Sequence, residues 1–162
     1  MRQAFAPRAR VGAFLLGVAV LAGCAAPAMV RPGVARDDVT ALWGEPLASY
    51  QLPAGQRLFY RTKPGQVQSL DFDATGKLVG MEQALTAQRL GRITAGQWRA
   101  ADVQLAFGPP AKREANGDQG SVWTYFFQEY GTHRRARVLL DPAGAVVRTE
   151  FADDPAADER YR

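Results

Sequence analysis

The sequence predicts an α+β fold of two tandem modules, each laying one or more helices on one face of a three-stranded antiparallel meander. Three observations carry that expectation. One pattern occurs twice, each occurrence opens with helical periodicity, and each closes in alternating segments joined by an Asp-x-x-Gly turn. The 162 residues are 47% hydrophobic and 22% charged. That composition excludes disordered and collagen-like chains.

The repeat comes first. Asp38-Val39-Thr-Ala-Leu-Trp43-Gly44-Glu-Pro46 aligns with Asp102-Val103-Gln-Leu-Ala-Phe107-Gly108-Pro-Pro110 at an offset of 64. Leu58-Phe-Tyr60 aligns with Trp123-Thr-Tyr125 at 65, and Leu70–Val79 with Val138–Val147 at 68. The offset only grows, and it grows where loops belong, which is the behaviour of a duplicated unit with insertions. A unit of ~60 residues alone buries only ~60% of its unfolded surface, so two side by side are steadier.

Each unit begins with a helix, expected over about Arg36 to Trp43 and again over about Arg99 to Phe107. Val39, Leu42 and Trp43 recur at i, i+3, i+4, as do Val103, Ala106 and Phe107, so each set marks one buried face. Asp37 and Asp38 stand in the first turn, where negative charge suits the helix dipole. Gly44 and Gly108 stand where a helix C-terminus needs a left-handed residue, and Pro46 and Pro110 stop continuation.

Three strands follow in each unit: Gln56–Arg61, Gln66–Asp73 and Lys77–Gln83, then Ser121–Gln128, Arg134–Asp141 and Ala145–Phe151. Asp73-Ala-Thr-Gly76 and Asp141-Pro-Ala-Gly144 join the second and third strands in each, with Asp and Gly at the first and fourth places of a type I turn. A further helix from Met81 or Glu82 to Leu90 is expected to lead into the second unit.

The N-terminus is an address. Arg2, Arg8 and Arg10 precede an apolar run from Val11 to Ala22, too short to span a membrane as an anchor and of signal-peptide length. Leu21-Ala22-Gly23-Cys24 then resembles the lipobox of bacterial lipoproteins. That resemblance implies cleavage after residue 23 and acylation of Cys24, which would anchor the protein in membrane lipid. Ala25 implies sorting to the outer membrane, with the domain facing the periplasm. The expected tether, 24–32, contains two prolines and reaches at most ~30 Å. Removing residues 1–23 takes three of 20 Lys+Arg and none of 16 Asp+Glu, leaving 17 against 16, a net charge of +1. The sequence pI of about 9.6 is therefore partly the leader's, and a nucleic-acid partner is not expected.

A single cysteine and a single histidine leave no Cys-based zinc site, no HExxH motif and no histidine pair. No Ser/His/Asp or Cys/His set and no phosphate-cradling glycine loop is visible, so neither enzymatic activity nor a cofactor is expected. His133 reads as an exposed loop imidazole. Asp153, Asp154, Asp158 and Glu159 read as solvated carboxylates of a flexible tail, 152–162, without EF-hand spacing. Alternation puts Ala136, Val138 and Leu140 on the core face. Phe126, Arg135, Arg137 and Arg148 then share the opposite face. An aromatic flanked by arginines has the composition of a protein-binding patch. The same face could meet anionic head groups, or be an ordinary solvated surface.

Gly33-Val-Ala-Arg-Asp-Asp-Val39 followed by Leu42-Trp-Gly44-Glu-Pro46 resembles the SmpA/OmlA, or BamE, family of small outer-membrane lipoproteins, with Val103, Gly108 and Pro110 repeating the motif. The tandem arrangement is similar to that of the β-lactamase inhibitor protein. The resemblance implies modules at 33–83 and 84–151. Its functional implication is a scaffold that steadies envelope proteins, including outer-membrane assembly components, with a protein-binding or inhibitor module as the alternative. Two departures stand out: Gly96 lies seven residues before Val103 rather than six, and Ala35 and Trp98 stand where the family has a capping Ser or Thr.

Overall fold

The structure, a computed structural model, describes residues 30–161. The expected leader, Cys24 and most of the tether lie outside the described residues. The fold is α+β. Helix α1 (Arg36–Trp43) precedes strands β1 (Ala48–Leu52), β2 (Gly55–Lys63), β3 (Gln66–Asp73) and β4 (Leu78–Gln83). A single turn, α2 (Ala87–Leu90), and helix α3 (Ala100–Phe107) lead to β5 (Lys112–Ala115), β6 (Ser121–Glu129), β7 (Thr132–Leu140) and β8 (Val146–Asp153). A last turn, α4 (Ala157–Arg160), follows. The strands form two four-stranded sheets in the orders β1-β2-β3-β4 and β5-β6-β7-β8, all pairs antiparallel.

Both long helices start and stop near where the sequence placed them. Neither is capped at its start by a Ser or Thr. Ala35 makes no side-chain bond, and at α3 the Asp102 carboxylate instead accepts from the Arg99 N–H at 2.8 Å. Gly44 and Gly108 end them with φ of 77° and 76°. Their ψ values of −159° and −166° correct the expected left-handed cap: the backbone is in the mirror-extended region that only glycine enters readily. Val39, Val103 and Phe107 are buried. Leu42 is not, at 51% exposed. At about 100° per residue it lies roughly 60° from Val39 and 100° from Trp43, beyond the rim of a stripe centred between those two.

Each meander has four strands, not three. The extra ones, β1 and β5, are edges, and β5 is exposed throughout. Polar β5 lacks the alternation by which the others were recognised, whereas β1 alternates, with Ala48, Tyr50 and Leu52 half-buried and Ser49 and Gln51 exposed. The expected helix from Met81 or Glu82 is also corrected. Met81, Glu82 and Gln83 pair with Leu70, Ser69 and Gln68 in β4, so sheet pairing takes these residues. Helix geometry begins only after Thr86, whose hydroxyl accepts from the Arg89 N–H at 3.2 Å.

The two halves close on themselves with the same main-chain bonds. Gly33 N–H donates to Leu78 O at 2.7 Å, and Gly96 N–H to Val146 O at 2.8 Å. Leu78 N–H returns a bond to Val34 O, and Val146 N–H returns one to Trp98 O. Arg36 N–H reaches Gly76 O at 2.9 Å and Ala100 N–H reaches Gly144 O at 2.8 Å. Isolated bridges Ala35–Lys77 and Arg99–Ala145 complete the match. The one-residue insertion before Val103 is absorbed between Gly96 and Trp98, leaving this clasp unchanged. The Asp73 and Asp141 carboxylates hold the expected turns, accepting from Lys77 N–H at 3.0 Å and Ala145 N–H at 2.8 Å. After Pro46 and Pro110, Leu47 and Ala111 begin the edge strands by donating to Phe59 O and Thr124 O.

The halves share a core. One apolar cluster joins Val39 of α1 to Leu58, Tyr60, Leu70, Phe72 and Leu78 on the near face of the first sheet. Trp43 packs edge-on against Tyr60. The larger cluster contains Phe59 and Val67 from the reverse face of that sheet, with Leu90, Val103 and Phe107 between it and Tyr125, Phe127, Ala136 and Val138 of the second sheet. Both α2 and α3 therefore lie between the sheets. The sequence reading left the reverse face of each sheet free; in the first sheet it is buried. Phe59 ends wholly buried because Gly108 sits on its ring, where a Cβ would stand 2.9 Å from Phe59 Cγ.

Candidate functional site

The outer face of the second sheet is where the sequence placed its partner-binding residues. β6 sets Phe126 opposite Arg135, and β7 sets Arg135 opposite Ala152, Arg137 opposite Glu150 and Leu139 opposite Arg148. Side chains two apart on one strand point to the same side, so these residues share the face with Val122 and Thr124. The structure brings the three arginines together and removes the phenylalanine from the surface. Phe126 is only 9% exposed, because the Arg160 guanidinium lies over its ring at 3.8 Å from the centroid. Val122 and Thr124 are buried as well. What remains accessible is mostly basic, Lys112, Arg137 and Arg148 beside Glu114 and Glu150. Arg137 and Arg148 both reach Glu150, at 3.3 and 2.8 Å, so one carboxylate serves two guanidinium groups.

Arg160 is there because the chain past residue 151 folds back rather than trailing as the expected tail. Strand β8 runs on to Asp153, whose next neighbour, Asp154, turns inward and is 7% exposed. Its carboxylate accepts from Arg160 Nε at 3.1 Å, from Arg160 Nη2 at 3.4 Å and from Ala156 N–H at 3.3 Å. Burial alone would push that carboxyl up. The Arg160 and Ala156 hydrogen bonds, with the charges of Arg160 and Arg135, outweigh it and hold the pKa below the ordinary aspartate value. His133, expected as an exposed loop imidazole, is the second residue of β7 and half-buried. Its ring stacks on Tyr161 at 4.4 Å, and its main-chain carbonyl accepts from Asp154 N–H at 3.0 Å. Among the described residues no group of three or more His, Cys, Asp or Glu side chains is gathered as a metal site.

A second concavity, about 620 Å³, opens between the tip of the β2–β3 hairpin and the second sheet. The hairpin wall carries Arg61 and Lys63. The opposite wall is Pro109 to Lys112 with Phe126, Arg160 and Tyr161, and Val67, Leu85 and Tyr125 also line the space. The Tyr125 hydroxyl faces away from chemistry. It donates to Gly108 O at 3.1 Å, and burial pushes its pKa far above the usual tyrosine value.

No family model and no curated protein matches the chain. A solved structure of a DUF4309 family protein, YjgB, from Bacillus subtilis subsp. subtilis str. 168 is similar at 13% identity over 74% of this chain and 78% of that one, with a TM-score of 0.31. A likeness of that size supports no conclusion about fold or function.

The motif residues are structural. Val39 and Val103 fill the two cores, Gly44 and Gly108 end the helices, Gly33 joins the clasp, and Pro46 and Pro110 precede the edge strands. Sequence reasoning missed Arg160, Asp154 and Tyr161 as parts of the outer face. A short Asp-Pro-Ala-Ala turn after a strand was the available signal, since Asp before such a turn commonly accepts from main-chain N–H groups.

Proposed function

We propose that the chain is a non-enzymatic lipoprotein of the outer membrane, held there by acylated Cys24 and built from two BamE-like modules. It works as a periplasmic accessory or scaffold that holds an envelope protein against the outer face of its second sheet. One observation carries this reading. The first sheet already uses its reverse face to grip a helix, α3, whereas the corresponding face of the second sheet carries the short α4 turn, through Arg160 over Phe126, and presents Arg137 and Arg148 around the carboxylate of Glu150. Arginine is enriched at the centres of protein interfaces, and two guanidinium groups on one carboxylate leave an excess of positive charge that favours an acidic partner surface. The lipobox supplies the location, and among the described residues no helix is long and apolar enough to cross a membrane.

A photo-crosslinking amino acid at position 137 or 148, in cells making the full chain, tests the reading. An adduct with an outer-membrane assembly component, lost when the arginine not replaced by the crosslinker is changed to glutamate, is the expected result. Adducts with no envelope protein from either position would remove the scaffold reading. A saturable one-to-one complex with a soluble periplasmic protein would favour the inhibitor module instead.

A further inference from the structure

The cleft between the β2–β3 hairpin and the second sheet is lined by charge of one sign. Its lining includes Arg61, Lys63, Lys112 and Arg160 and no acidic residue. In the chain past the leader the two signs are nearly equal, 17 against 16. Arg160 is held by Asp154. Arg61, Lys63 and Lys112 are exposed and make no ion pair among the described residues. Below them the lining is apolar and aromatic, from Leu47, Val67, Leu85 and Tyr161.

Like charges crowded at a concave, low-dielectric mouth raise the local concentration of anions, and an apolar floor rewards a body that can leave water. The volume lies within the roughly 300–1,000 Å³ of small-molecule sites. We propose that this cleft binds a small anionic ligand: one phosphate monoester or carboxylate head on an aryl or alkyl body. The head lies among Arg61, Lys63 and Lys112, and the body lies on the floor. The tip of the hairpin that carries two of the cations lies beside the second sheet. Gly65 there packs on the β6 backbone, with a Cβ position 3.4 Å from Gln128 N.

The full acylated chain in phosphatidylcholine nanodiscs, titrated with 1-naphthyl phosphate by fluorescence and calorimetry, tests this. Saturable one-to-one binding is expected. Inorganic phosphate and naphthyl glucoside, head or body alone, should each bind at least ten-fold more weakly. The Arg61→Gln, Lys63→Gln double variant, which alters exposed side chains only, should weaken naphthyl phosphate about ten-fold while its thermal midpoint stays unchanged. Nanodiscs containing phosphatidic acid identify the natural source of the head. Competition with the probe points to a membrane lipid, and unchanged binding points to a free metabolite. Equal affinity for the glucoside, indifference to the double variant, or no saturation at millimolar probe would each overturn the proposal.

Discussion

Arg57 forms a two-pronged ion pair with Asp71 across β2 and β3, at 2.6 and 2.7 Å, and its remaining nitrogen donates to Leu105 O near the end of α3 at 3.0 Å. One side chain thus ties the first sheet to the helix of the second half, and it places a cation where the helix dipole is negative. In the second sheet the same cross-strand pair is Val122 and Leu139, both apolar.

That substitution within the molecule predicts a compensating pair. Arg57→Val alone leaves Asp71 half-buried without its partner and should cost about 2–3 kcal/mol in denaturant unfolding. Adding Asp71→Leu should recover most of that loss, since a partly buried ion pair and a packed apolar pair are often close in free energy. A double variant no more stable than the single one would show that the bond to Leu105 O, rather than the ion pair, sets the cost.

Gly44 and Gly108 share a backbone conformation and differ in surroundings, which makes a matched test. Nothing lies within 4 Å of a Cβ at Gly44, while one at Gly108 meets the Phe59 ring. Gly44→Ala should cost the conformational strain alone, about 1–3 kcal/mol. Gly108→Ala should add about 1–3 kcal/mol of overpacking to it. Equal losses in thermal or chemical denaturation would place no weight on the Phe59 contact.

The Tyr125 hydroxyl is buried and its acceptor, Gly108 O, lies at the end of α3. Removing it with Tyr125→Phe leaves that carbonyl without its donor and should cost about 1–2 kcal/mol. Because the phenol has a single role, the loss should not vary between pH 6 and 9.

The chain end should come loose in acid. Asp154 has a pKa below the ordinary aspartate value when folded, so the stabilisation it provides is complete above the unfolded-state value of about 3.9. It fades as pH falls through the lower, folded value. The side-chain resonances of Arg160, shielded by the Phe126 ring beneath them, should move towards unshielded positions below about pH 4. In Asp154→Asn they should already be displaced at neutral pH, with no acid step.

What the sequence disclosed was local. The bounds of α1, the Asp-x-x-Gly turns and the inward set of Ala136, Val138 and Leu140 all follow from periodicity and turn chemistry within a dozen residues. What it concealed was set by partners distant in the chain. Edge strand β5 is polar because it is an edge, so no alternation marked it. Phe126 stands at an outward position by parity, and only the return of Arg160 buries it. The reverse face of the first sheet looked free because Phe59 and Val67, among polar neighbours, gave no sign that a helix 40 residues later would cover them. The basic cleft is assembled from a hairpin and a loop that no motif connects.

The clasp that closes each half is made of peptide groups alone, through Gly33, Val34 and Arg36 in one and Gly96, Trp98 and Ala100 in the other. A lock built from the main chain asks almost nothing of the side chains around it. The two copies can drift until Val34 faces Trp98 and Thr124 faces Phe59 in an alignment, yet still shut in the same way. The likeness of the two halves is thus carried by the backbone beyond the few letters they share.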